Sequence, residues 1–153
     1  ILGGVAIVWP KKRLTSWMET TAWVSLAVYA LGVGTSLIAE IVNWGGIAWN
    51  EPRTAANLNL LALAIIAQVV ASWLHRPRIQ GALHLAVATA IIWVTAVTEL
   101  QLHPAGAVSS SSSSAIRFVF YGLTLICLLF CAWVIWYIQV YRPKSIAGPG
   151  PAD

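Results

Sequence analysis

Three histidines, two cysteines and five acidic residues are the side chains here with chemistry beyond packing, and their spacing limits what they can do. His84 and His103 are nineteen residues apart along one nearly continuous apolar run, about 28 Å at 1.5 Å per residue, so they cannot share one haem. His75 and His84 flank a short turn between two such runs, a geometry open to a b-type haem held between neighbouring helices. The competing reading makes His75 an interfacial residue beside Arg76 and His84 a hydrogen-bonding partner of an adjacent helix. Cys127 and Cys131 share a helix face inside an apolar run, where they read as two small hydrophobes rather than a redox pair. His103, Glu40, Glu51 and Glu99 gather at the opposite end from His75, with Arg53 and Arg117 as counter-ions. A transport path would also need polar groups at mid-bilayer, where Gln68 is the main candidate, so the glutamates read better as caps, arginine partners or interface contacts. There is no phosphate-cradling glycine loop, no metal-spaced His and Glu pair, and no nucleophile beside a base.

The elements that must position these residues are membrane helices. Of the 153 residues 59% are hydrophobic and 9% charged, and the mean hydropathy is +0.77, which excludes a water-soluble domain. Four apolar runs, near 17–41, 57–74, 79–99 and 116–141, each approach the roughly 20 residues needed to cross a bilayer. The expected fold is an all-α, integral-membrane four-helix bundle over 14–141. Residues 1–13 read as the tail of a preceding apolar element plus a basic turn, and 142–153 as a flexible tail. Seven of the nine Lys and Arg residues lie at one set of helix ends: Lys11, Lys12, Arg13, Arg76, Arg78, Arg142 and Lys144. The net charge of +4 therefore reflects topology rather than nucleic-acid binding. The positive-inside rule puts 11–13, 75–78 and the C-terminus on the cytoplasmic side of a cytoplasmic or equivalent energy-transducing membrane. The serines Ser109 to Ser114 read as an outward loop.

Gly32, Ser36 and Glu40 recur every fourth residue, as do Ala67 and Ala71, and Ala82, Ala86 and Ala90, and small residues at this spacing permit close helix approach. The fourth run differs. Phe118, Phe120, Tyr121, Phe130, Trp133, Trp136, Tyr137 and Tyr141 make it bulky nearly all round, suited to lipid or to another membrane subunit, with an aromatic belt at its lower end.

The most informative stretch is the outward loop from Trp44 to Thr54, Trp-Gly-Gly-Ile-Ala-Trp-Asn-Glu-Pro-Arg-Thr. Tryptophans settle at an interface, glycine lets the backbone fold closely, and Pro52 suits a turn or helix start with Glu51 near the positive end of the helix dipole. An interfacial re-entry with belt tryptophans accounts for all of this. The order Trp44-Gly45, Glu51-Pro52-Arg53, an apolar helix and then Leu74-His75-Arg76 also resembles the tryptophan-rich haem-handling segment of the WWD-type cytochrome c assembly proteins. Leu102-His103 and Gly106 continue the likeness, and Leu14 to Asn43 resembles the helix that precedes the family's loop, so the similarity covers roughly residues 14–106.

That resemblance implies an outward haem site made from His103, Trp44, Trp49, Glu51 and Arg53. The family pattern is incomplete here: Ala48 and Asn50 stand at later tryptophan positions, Glu51 replaces an Asp, Thr54 replaces an acidic residue, and no upstream histidine pairs with His103. The expected function is a non-catalytic membrane subunit of a respiratory or photosynthetic electron-transfer complex, with a decayed haem-handling loop. Two alternatives remain open, a cytochrome c maturation protein that binds or delivers haem at its outward face and a b-type haem-binding membrane anchor. Haem is the one cofactor in view. The expected partners are the bilayer and other membrane subunits, met through the aromatic fourth span.

Overall fold

The computed structural model describes residues 2–9, 11–74, 76–98 and 112–141. Within them the chain forms five helices and no strand: α1 (Leu2–Val8), α2 (Lys12–Trp44), α3 (Pro52–Trp73), α4 (Pro77–Val97) and α5 (Ser114–Tyr141). The last four are long and apolar enough to cross a membrane. The fold is therefore the expected all-α membrane bundle, with helices that outrun several of the apolar runs.

Local chemistry explains those longer bounds. The N-terminal basic residues Lys12 and Arg13 fall inside the first turn of α2 rather than before it. α3 starts at Pro52, five residues ahead of the apolar run, because proline at the first helical position sacrifices an N–H that would be unpaired anyway. α4 starts at Pro77 for the same reason. The end of α2 is set by Gly45, whose φ of 74° closes a left-handed cap with its N–H on the Ile41 carbonyl.

α3 is the centre of the molecule and the most buried of the long helices. Leu60, Ala64, Ala67, Gln68 and Ala71 form its buried stripe against α2 and α4, which bears out the small-residue spacing of Ala67 and Ala71. The other two expected stripes are not the packed faces. Of the α2 stripe Glu40 is buried, but Gly32 and Ser36 are exposed, and the buried residue beside them is Val33. On α4, Ala82 and Ala86 are exposed and line a shallow groove with Ile7, while Gln80 and Gly81 are buried.

The α4 register is set by α1. A Cβ added at Gly81 would stand 2.6 Å from the Gly3 carbonyl oxygen, and one at Gly3 would stand 2.7 Å from the Gly81 carbonyl oxygen. Only two glycines permit this crossing. α1 also touches α2, so the short apolar segment that reads as a tail bridges two spans that scarcely meet each other. α5 contacts α2 alone among the described helices, and none of its residues is buried.

Polar side chains tie the seams. Tyr29 donates to the Asn57 carbonyl at 3.3 Å between α2 and α3, and Gln80 donates to the Ala71 carbonyl at 2.8 Å between α3 and α4. Ser16 donates to Gln139 Oε1 at 3.1 Å, and Gln139 Nε2 donates back to the Ser16 carbonyl at 2.8 Å and to the Thr20 hydroxyl. This last set brings the end of α5 to the start of α2. Lys11, Lys12 and Arg13 thus share one end of the molecule with the C-terminal end of α5.

Candidate functional site

The loop of residues 45–51 joins α2 to α3, and its shape is fixed by one carboxylate. Glu40, only 5% exposed near the end of α2, accepts the Ala48 backbone N–H at 3.0 Å on one oxygen and the Thr54 hydroxyl at 2.7 Å on the other. A buried acid on a membrane helix must be satisfied internally. Glu40 meets that requirement by closing the loop over its own helix end. Its position in a small-residue stripe therefore says less than its acidity, and the capping role weighed for the glutamates fits it.

Glu51 occupies the N-cap position of α3 and is 2% exposed, so its side chain faces the protein. Arg53 turns away from the loop to donate from Nη2 to the Thr95 carbonyl of α4 at 2.9 Å. That bond satisfies a carbonyl in the last turn of α4 and places positive charge at the helix's negative end. Trp44 and Trp49 are different: at 48% and 64% exposed they face outward from the fixed loop. Of the five residues expected at an outward haem site, Trp44 and Trp49 are exposed, Glu51 is buried, and Arg53 is bonded to α4. His103, like Glu99, lies outside the described residues.

Of the second expected pair, His75 also lies outside the described residues. His84 is half-buried on α4 and faces an intramembrane cavity shared with Gln68 and Tyr29. Among the described residues no three of His, Cys, Asp and Glu come together as a metal-holding group. Cys127 and Cys131 are free thiols. Cys131 belongs with Ile135 and Gln139 to the less exposed stripe of α5, at helical four-residue spacing toward α2.

The remaining feature is the outer surface of α5. Phe130, Trp133, Tyr137 and Tyr141 form one continuous ladder, with ring centroids 6.0, 5.5 and 4.6 Å apart in succession. All four are exposed. The i+3 and i+4 spacing puts them on one face, where the first three rings stack in succession and Tyr141 tilts against Tyr137. Gln80, Gln139 and Asn57 were absent from the sequence expectations, although a lone amide in an apolar helix is itself a signal of an inward or partner-facing position.

No protein-family model, curated protein or solved structure matches this chain.

Proposed function

We propose that this chain is a non-catalytic integral-membrane subunit of a respiratory or photosynthetic electron-transfer complex, docked to its partner helices through the outer face of α5. The observation that carries the reading is a membrane-length helix with no buried residue whose aromatic ladder is already ordered. A belt of aromatics sits at headgroup depth. Phe130 lies eleven residues before Tyr141, about 16 Å along the helix, so the ladder reaches well below a belt. Helices in lipid associate by shape and by interhelical hydrogen bonds, and a continuous surface of ring faces suits that association. The electron-transfer setting rests on the resemblance of 14–106 to haem-handling proteins, and the turning of Glu51 and Arg53 toward the protein supports a loop kept for structure. In this reading the end bearing Lys11 to Arg13, Arg76, Arg78 and the C-terminus faces the cytoplasm.

Replacing Phe130 and Trp133 together by Leu keeps the surface apolar while removing its shape. The double variant should insert normally and leave the complex on native gels after mild solubilisation. Retention of the double variant in a complex of unchanged size would contradict docking through this face.

A second reading has one observation in its favour: Trp44 and Trp49 stand outward on a loop that Glu40 holds in place. Haem delivery at that face would give the purified chain a Soret band that disappears in His103→Ala.

A further inference from the structure

The chain contains a cavity that neither docking through α5 nor the outward loop uses. α2 and α4 flank α3, and between them lies a half-open space of about 400 Å³ whose lining also takes in Leu2 and Gly3 of α1. Its walls are Met18, Ala22 and Leu26 from α2, Ala64 and Ala67 from α3, and Ala88 and Ile91 from α4, among others. Among the described residues no Asp, Glu, Lys or Arg lines it. With no fixed charge among these residues to offset the desolvation of an ion, the space favours a neutral occupant.

Beside the hydroxyls of Thr21 and Ser25, two larger polar groups face this space without hydrogen bonds among the described residues. Gln68 is 5% exposed and makes no side-chain hydrogen bond among the described residues, although its amide offers two donors and an acceptor. His84 lines the cavity from the next helix and likewise makes no hydrogen bond among the described residues. Gln68 is five residues from the end of α3 at Trp73, and His84 is seven from the start of α4 at Pro77. These are about 8 and about 10 Å from the same end, so the two groups sit at nearly one depth. The Tyr29 hydroxyl, further along, is engaged by Asn57. An unpaired amide inside a membrane protein is costly, and the cavity is in the size range that encloses a small ring compound.

We infer that this cavity binds a neutral, lipid-soluble ring carrying carbonyl or hydroxyl oxygens, the chemistry of a quinone or quinol, with Gln68 and His84 hydrogen-bonding the ring oxygens and the α2 and α4 side chains holding its apolar body. An acyl chain would fill the same volume but leave both polar groups unpaired. The inference does not depend on docking through α5.

The test is photo-labelling of the full chain in lipid nanodiscs with an azido derivative of a decyl-substituted benzoquinone. Labelling should saturate, map to the segments 64–68 and 84–91, and be competed by unlabelled decyl-benzoquinone but not by decylbenzene. Gln68→Leu, close in size and more apolar, should weaken competition about tenfold. Ala88→Phe, which fills the cavity and leaves Gln68 and His84 in place, should abolish labelling of both segments. Equal competition by decylbenzene would show a general apolar crevice and overturn the assignment. Wild-type labelling of both variants, or labelling that never saturates, would do the same.

Discussion

Glu40 shows how one side chain in a membrane helix decides local structure. It is buried, and both of its oxygens are used, one by the backbone at Ala48 and one by Thr54. Glu40→Ala would orphan both donors and is expected to cost about 2–3 kcal/mol, read as a lower unfolding temperature in detergent. Glu40→Gln keeps one acceptor oxygen and should cost about half as much. If alanine were as stable as wild type, the loop would owe its shape to something else. The same loop sets a second expectation at this scale. Of the five residues proposed for an outward haem site, Arg53 is bonded to α4 and Glu51 is buried, and the shelf lacks rings at Ala48 and Asn50. The purified chain should therefore hold no stoichiometric haem, and His103→Ala should leave its absorption spectrum unchanged. A Soret band lost in that variant would reinstate the haem-delivery reading.

At the scale of elements, apolar run length located every span, and the proline and glycine rules explain where α2, α3 and α4 begin or end. Which face of each helix packs was only partly legible. Ala67 and Ala71 mark the buried side of α3 because α3 is flanked on both sides, so a small-residue stripe and a packed face coincide. On α4 the deciding residue is Gly81, one position from the Ala82 stripe, because the partner that approaches most closely is a seven-residue helix too short to register as a span. Spacing within one helix cannot reveal such a partner. The consequence is testable: Gly81→Val must push α1 off α4, at a cost of about 1–3 kcal/mol, and trypsin should then cut faster at Lys11 to Arg13. Gly32→Ala, where an added Cβ meets nothing within 4 Å, is the matched control and should change neither stability nor cleavage. Indifference of the chain to Gly81→Val would mean that α1 is not seated as described.

At the scale of the whole molecule, α1 to α4 build a core around α3 while α5 stands on α2 with its aromatic ladder outward. The hydrogen bonds of Gln139 to Ser16 and Thr20 keep the end of α5 with the basic start of α2, in agreement with the charge asymmetry of the helix ends. A phosphatase reporter fused after Asn50 should accordingly be active and one fused after Arg78 or Ser145 inactive; the reverse pattern would invert the proposed orientation. The peripheral place of the fourth span was readable from its residues, since bulky aromatics nearly all round suit lipid or another subunit better than tight packing inside a small bundle, and α5 indeed has no buried residue. The most direct measurement for the proposed role is the native mass of the wild-type chain, extracted in mild detergent from the membrane in which it is expressed naturally. The account predicts that it migrates within a larger assembly of several membrane proteins. Migration as a lone 16.5 kDa chain in its detergent micelle, with the aromatic ladder facing only lipid, would contradict it.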